Sequence, residues 1–150
     1  MIVKCPNCAA KNRVPAVAEG VPRCGVCQTA LPWIVNADAG SFDAVIASDL
    51  LVMVDFWAPW CGPCLRVSPA VEVLGRKHAG ELKVVKLDID TAPDAARRFD
   101  VASIPTLLVL RDGAEIDRIV GALPANQIEA KLTPHLTAAA AERTQGVPPA

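Results

Sequence analysis

Phe56-Trp57-Ala58-Pro59-Trp60-Cys61-Gly62-Pro63-Cys64 joins an apolar run, Leu50 to Trp57, to a helix-like run, Cys64 to Leu74. Two cysteines with two residues between them form either a redox pair or half of a metal site. Four further cysteines, Cys5, Cys8, Cys24 and Cys27, also stand in Cys-x-x-Cys pairs. The function turns on which pairs do which chemistry.

Working outward, Leu50 to Trp57 carries apolar residues on both faces, as a strand in the middle of a sheet does. Asp55 interrupts it, and a lone carboxylate there is costly unless it has a partner or a task. After Cys64, Val67, Val71 and Leu74 fall on one face of a helix, which Pro69 is expected to kink. Upstream, Trp33-Ile34-Val35 reads as a strand, and Ser41 as the cap of a helix that turns Phe42, Val45 and Ile46 inward. Downstream, Leu82 to Ile89 reads as a strand, and Thr91 as the cap of a short helix through Ala95, Ala96 and Phe99. Thr106 to Leu110 and Glu115 to Val120 form a hairpin about Asp112-Gly113, and Gly121 ends it. Pro124 opens a last helix with Ile128, Leu132 and Leu136 on one face, disturbed by Pro134. This order implies an α/β fold, a mixed sheet with helices on both faces. The expected division is a four-cysteine module over residues 1–31, a main domain over 32–139 and a disordered tail over 140–150.

The 150 residues are 52% apolar with a formal net charge of −1. That gives no compositional support for nucleic-acid binding. No apolar run approaches the roughly 18 residues of a membrane helix. The N-terminus, Met-Ile-Val-Lys-Cys-Pro-Asn-Cys, does not read as a signal peptide. A reducing cytoplasm is therefore expected, where cysteines serve as metal ligands or redox catalysts more often than as structural disulfides.

Cys5, Cys8, Cys24 and Cys27 have the spacing C-x2-C-x15-C-x2-C, within the range of a four-cysteine zinc site. Each knuckle offers two thiolates from one side, and the connector folds them into a tetrahedron with Zn–S near ~2.3 Å. No histidine precedes His78, so the site is all cysteine. Four thiolates fill the coordination sphere, which implies a closed, structural zinc site. Disulfides, a redox switch or iron are the alternatives. About thirty residues bury little core alone, so the metal would supply most of that module's folding energy.

Val54-Asp55-Phe56-Trp57-Ala58 followed by Trp60-Cys61-Gly62-Pro63-Cys64 resembles the thioredoxin family. So do Val85-Lys86-Leu87-Asp88-Ile89-Asp90, Ile104-Pro105-Thr106-Leu107 and Gly121-Ala122-Leu123, in the right order over about residues 33–137. The two knuckles, with Asn12-Arg13-Val14-Pro15 between them, resemble the zinc-binding thioredoxin-2 subfamily. The resemblance implies a thioredoxin-like sheet of strand order 1-3-2-4-5, counted within the main domain, with a zinc-ribbon-like module ahead of it. It also implies an active site at the C-terminal end of the central strand.

Cys61, at a helix N-terminus, is the expected nucleophile, its thiolate favoured by unpaired amides and the helix dipole. Cys64, one turn on, is the expected resolving thiol with the more buried sulfur. Burial should raise the pKa of Asp55 toward neutrality, so that it accepts the Cys64 proton; the resemblance supports that role and pairs Asp55 with Lys86. Trp60 shields the sulfurs and offers an apolar contact, Trp57 packs beneath the motif, and Gly62 and Pro63 set geometry and redox poise. By the resemblance, Ile104 and Pro105 border the sulfurs and let an extended substrate add to the backbone, while Gly121 and Ala122 complete the docking rim. His78 and His135 read as helix-surface residues. Leu65-Arg66 and Pro59 depart from the commonest family pattern without removing a catalytic part.

The expectation is a monomeric cytoplasmic protein-disulfide reductase acting on substrate proteins. It would be recycled by a thioredoxin reductase, with no bound flavin or nicotinamide. The rivals are a zinc-dependent, redox-regulated interaction module or chaperone, and a disulfide-forming oxidant in an oxidising compartment.

Overall fold

A computed structural model describes the backbone of residues 1–145 and the side chains of residues 1–138. Eleven elements follow in order: β1 (Ile2–Lys4), β2 (Lys11–Arg13), β3 (Trp33–Ala37), α1 (Phe42–Ile46), β4 (Leu51–Trp57), α2 (Gly62–Lys77), β5 (Leu82–Asp88), α3 (Pro93–Arg98), β6 (Thr106–Arg111), β7 (Ala114–Val120) and α4 (Ala125–Gln145). Strands β3 to β7 form one mixed sheet in the order β3-β5-β4-β6-β7. Counted within the domain, that is the expected 1-3-2-4-5. β3 and β4 run parallel to β5, and β6 runs antiparallel to both β4 and β7.

Strand period divides the core into two. Val52, Val54 and Phe56 of β4 join Val85 and Leu87 of β5, Leu108 and Leu110 of β6, and Phe42, Val45 and Ile46 of α1 on one face. Leu51, Met53, Leu82, Val84, Leu107 and Val109 meet Val67, Val71 and Leu74 of α2 and Ile128, Leu132 and Leu136 of α4 on the other. Gly75 brings α2 close to the sheet: a Cβ there would lie 3.0 Å from Ile34 Cγ1 and 3.1 Å from Val84 Cγ2. In the β6–β7 turn, Asp112 and Gly113 both have positive φ, 52° and 79°, the backbone that a two-residue hairpin of right-handed twist requires.

Three local expectations are corrected. Ser41 makes no side-chain cap; its own N–H donates to Asp38 Oδ1 at 2.8 Å, and its hydroxyl accepts from Asp38 N–H. A tight turn before α1 makes Asp38 the organising side chain. Thr91 makes no cap either, because its hydroxyl turns back to the Asp88 carbonyl and Ala92 holds the cap position of α3. Helix α4 runs to Gln145, past the point where a frayed tail was expected. Alanine has the highest helix propensity, and the run Ala138 to Ala141 continues the helix; residues 146–150 lie outside the described residues. Both α2 and α4 continue through their internal prolines, Pro69 and Pro134.

The first 31 residues pack onto the sheet. Cys5, Val14, Cys24 and Leu31 belong to the core that contains Trp33 and Val35. The Trp33 indole N–H donates to the Pro15 carbonyl at 2.9 Å. Lys83, fully buried on β5, donates to the carbonyls of Ala16 at 2.7 Å and Val45 at 2.6 Å and lies over the Trp33 ring. Residues 1–31 therefore share a face with α1, opposite the face that carries α2.

Candidate active site and four-cysteine cluster

Strand β4, the middle strand of the sheet, delivers the chain to its C-terminal end, and Ala58 to Cys61 turn it into α2. Cys61 is the N-cap of this 16-residue helix, and its sulfur accepts the Cys64 backbone N–H at 3.2 Å. Pro63 sits in the first turn, where a missing N–H costs nothing. No acidic residue occupies that turn, so the helix N-terminus presents an uncompensated positive end to the Cys61 sulfur. Cys61 and Cys64 are joined as a disulfide with Cα atoms 5.3 Å apart. Cys61 is 5% exposed and Cys64 1%, so the first is the sulfur within reach of a partner. Trp57 packs against Ala58, Cys61 and Cys64.

A cleft of about 480 Å³ opens beside Cys61, walled by Trp60, Gly62, Pro63, Ile89 and the segment Val101 to Ile104. The Ile104-Pro105 peptide is cis, and the Ile104 carbonyl lies 4.0 Å from Cys61 Sγ. Trp60 is 68% exposed, yet its indole N–H donates to Asp90 Oδ2 at 2.9 Å. The ring is thus a fixed wall. Gly121, at φ 97°, donates its N–H to the Pro105 carbonyl at 2.9 Å. Gly121 and exposed Ala122 are not among the walls of this cleft; Ile89, Val101, Ala102 and Ser103 are.

Asp55 is wholly buried, and neither of its oxygens has a hydrogen-bond partner. It lies on the α2 face of β4, in register with Lys86 on β5. Burial raises its carboxyl from 3.8 to about 6, the Lys86 ammonium pulling it down and the Glu72 carboxylate pushing it up. The expected pairing with Lys86 is electrostatic only: the ammonium donates instead to Ser68 Oγ and to Glu72 Oε1, the latter at 3.2 Å. His78 Nε2 and His135 Nε2 hydrogen-bond to Glu129 and Asp117, each at 2.8 Å, away from the sulfurs.

Ser68, Glu72 and Asp90 were not identified from sequence. Ser68 and Glu72 follow Cys64 at intervals of four on the same helix, a spacing that marks one face. Asp90 closes the stretch Val85 to Asp90, but its reach to Trp60 depends on the packing of two loops.

In the first 31 residues, two knuckles repeat one backbone geometry. Cys5 N–H donates to the Ala10 carbonyl and Ala9 N–H to the Cys5 carbonyl; Cys24 N–H donates to Thr29 and Gln28 N–H to Cys24. Ala9 and Gln28 both take positive φ, 64° and 67°. The hairpin β1–β2 carries the first knuckle. The four sulfurs lie within 4.8 Å of one another, with Cys5 to Cys27 and Cys8 to Cys24 each at 3.6 Å. Tetrahedral ligands at about 2.3 Å from a central ion stand roughly 3.8 Å apart, so the cluster has the dimensions of a metal site. Its donor set fits too. The Thr29 and Asn7 side chains and the Thr29 backbone hold the Cys27 thiol down to about 5, and backbone hydrogen bonds from Cys27 and Val26 lower Cys24. The Ala10 backbone favours the Cys8 thiolate, but desolvation and the three neighbouring sulfurs push it up to about 12. A cation at the centre would offset the mutual repulsion of four such thiolates.

A sequence model of the Thioredoxin family matches residues 33–134. A thioredoxin of Porphyra purpurea is 41% identical over 100 residues, 67% of this chain and 94% of the relative. A thioredoxin of Mycobacterium tuberculosis is 51% identical over 85 residues, 57% of this chain and 73% of the relative. A protein named Thioredoxin 2 from Chlorobaculum tepidum is 41% identical over 92 residues, 61% and 84%. With a Cys-x-x-Cys disulfide at the head of α2 and this sheet beneath it, the chain belongs to the thioredoxin family of thiol-disulfide oxidoreductases.

Proposed function

We propose that the chain is a protein-disulfide reductase whose working dithiol is Cys61 and Cys64. The observation that carries this reading is the Cys61 sulfur, capped by an amide at a helix N-terminus and facing an apolar cleft, with Cys64 buried behind it. In the reduced form the Cys61 thiolate attacks one sulfur of a substrate disulfide. A mixed disulfide forms, and the other substrate sulfur leaves as a thiolate that takes a proton from water. Cys64 then passes its proton to Asp55 and attacks Cys61 Sγ. The bond between Cys61 and the substrate breaks, and the second substrate sulfur departs with its electron pair. Two electrons have moved from the dithiol to the substrate, and the chain is left as the disulfide.

Asp55 suits its part because it is buried, unpartnered and titrates near neutrality. Trp60 and Ile104 wall the substrate's approach. Pro105 and Gly121 hold that segment's backbone, and exposed Ala122 follows Gly121 outside the walls of the cleft. Gly62 and Pro63 fix the first turn of α2. Electrons are returned by a flavin- and NADPH-dependent thioredoxin reductase, so this chain itself binds neither flavin nor nicotinamide.

Residues 1–31 are a metal-binding module in this reading, with Zn²⁺ held by Cys5, Cys8, Cys24 and Cys27, and residues 32–139 are the catalytic domain. Four thiolates would leave the ion no open position, so its contribution is to cross-link the two knuckles. No helix among the described residues is long and apolar enough to cross a membrane. A reducing cytoplasm suits a chain that commits six cysteines to one metal cluster and one redox pair. We place it there as a monomer.

The test is reduction of insulin disulfides by the full chain, driven by dithiothreitol and separately by a thioredoxin reductase with NADPH. Turnover in both, abolished by Cys61→Ser, is expected. Unchanged turnover in that variant would remove Cys61 from the mechanism. A reduction potential near the ~−120 mV of a strong oxidant, instead of a value near ~−270 mV, would reverse the direction of the reaction.

A further inference from the structure

We propose that Ser68 and Glu72 are positioning residues that hold the Lys86 ammonium off Asp55, so that Asp55 stays a bare carboxylate able to take a proton. The inference deepens the reading of Asp55 as the base for Cys64 and rests on it.

Asp55 and Lys86 are neighbours in parallel register on the α2 face of the sheet. With Asp55 fully buried and Lys86 nearly so, two opposite charges at such a position would be expected to form a direct ion pair. They do not. Both Asp55 oxygens are without a hydrogen-bond partner, and the Lys86 ammonium goes to Ser68 Oγ and Glu72 Oε1. Ser68 and Glu72 sit one turn apart on α2, and Cys64 lies one turn before Ser68. The helix that carries the resolving sulfur therefore also carries the two groups that restrain the lysine. The Lys86 side chain is 11% exposed and that of Glu72 is 41%, so the lysine spans from the buried carboxylate toward solvent.

The chemistry gives the restraint a purpose. A lysine bonded directly to Asp55 would stabilise the carboxylate and make it a poor proton acceptor. A lysine held a short way off still attracts the carboxylate but leaves its oxygens free. The Glu72 charge acts in the same sense by partly neutralising Lys86. The charged groups acting on Asp55 are Lys86 from β5 and Glu72 from α2. β6 offers Leu107 opposite it, and α4 packs Ile128 and Leu132 on the same face.

The signs are opposite for the two kinds of change. Ser68→Ala and Glu72→Gln free the ammonium to reach Asp55, so each lowers the Asp55 pKa. Lys86→Met removes the ammonium and raises it. The experiment follows the Asp55 carboxyl by carbon NMR titration of the oxidised full-length chain in all three variants and in Ser68→Ala/Lys86→Met. Expected is a fall of about one pH unit in the first two, a rise in the third, and no further effect of Ser68→Ala once Lys86 is absent. Resolution of the mixed disulfide at neutral pH should slow about threefold to tenfold in Ser68→Ala, with its pH profile moved to lower pH. An unmoved Asp55 titration in Ser68→Ala, or an equal shift with and without Lys86, would overturn the proposal. Asp55→Asn keeps the base reading separately testable: a pH profile unchanged in that variant removes Asp55 as the base, whatever the titrations show.

Discussion

The Lys83 ammonium donates to the Ala16 carbonyl at 2.7 Å, across 67 positions of sequence, and so ties the four-cysteine segment to the sheet. The same ammonium donates to the Val45 carbonyl and rests 3.9 Å from the centre of the Trp33 ring. Lys83 and Lys86 are three apart on one strand and therefore face opposite ways. One serves the anchoring of residues 1–31 and the other lies beside Asp55.

Lys83 predicts a pH dependence of stability. Burial lowers its pKa from 10.5 to about 8. Between those values the unfolded chain binds more protons than the folded one, so stability attributable to Lys83 rises as pH rises from 8 to 10.5. The full span corresponds to about 3 kcal/mol. Urea unfolding of the parent chain and Lys83→Met at pH 7 and pH 9.5 isolates it: the parent should gain on the variant at the higher pH. A constant difference between the two would show that burial does not lower the Lys83 pKa and that the lysine stays charged in the folded chain.

Asp55 predicts the opposite slope. Its folded pKa is raised, so the folded chain holds the extra proton between pH 3.8 and 6, and stability falls as pH rises through that window and stays low above it. Ionising the buried, unpartnered carboxylate costs about 3 kcal/mol at neutral pH. Asp55→Asn should therefore be more stable than the parent at pH 7.5, by about 2–3 kcal/mol, and the advantage should vanish near pH 3.5. Comparing the two chains at each pH cancels the effect of acid on the cysteine cluster. A variant less stable at pH 7.5 would mean that Asp55 is ionised without cost.

The buried face of each strand and helix was legible because period-two and period-four apolar patterns record it, whereas the strand order came from the resemblance to the thioredoxin family and the register from the structure alone. Val85 and Leu87 against Lys86, or Ile128, Leu132 and Leu136, state their own orientation. The Cys61–Cys64 pair was legible from spacing and from the strand and helix on either side. What escaped were contacts whose partner has no sequence label. Lys83 binds two backbone carbonyls, and any residue could supply those. Ser41 and Thr91 have the composition of caps, but Asp38 and Asp88 compete for their hydroxyl and amide groups in turns only the backbone defines. The Lys86 restraint needed the docking of α2 on β5 to be known, although Ser68 and Glu72 already lay at the right interval.

Removing Cys64 separates the two chemical steps. In Cys64→Ser, attack by Cys61 survives and resolution does not. The variant should accumulate a covalent mixed disulfide with substrate and lose steady-state turnover by at least about a thousandfold. Intact-mass measurement after mixing with an oxidised peptide reads the adduct directly. In Cys61→Ser no adduct should form, because Cys64 is buried at 1% exposure. Adduct formation at Cys64 in that variant would show that the two sulfurs exchange roles.

Metal removal tests how far the first 31 residues stand apart from the domain. A chelator that strips the four-cysteine cluster should collapse hydrogen-exchange protection at the knuckle amides of Cys5, Ala9, Cys24 and Gln28, whose bonds close the two turns. The central strands β4, β5 and β6 should keep theirs, since their cores rest on α1, α2 and α4. Reductase activity should fall little, because the cleft and Asp55 lie on elements that residues 1–31 do not cover. The edge strand β3 is the expected boundary of the damage. Trp33 donates to Pro15, and Lys83 to Ala16, so loss of order in residues 1–31 would leave the indole N–H and one ammonium bond unmet. Protection should thus drop at β3 by an intermediate amount. Loss of protection throughout the sheet, together with loss of activity, would show that the four-cysteine cluster and the domain over residues 33–134 fold as one unit.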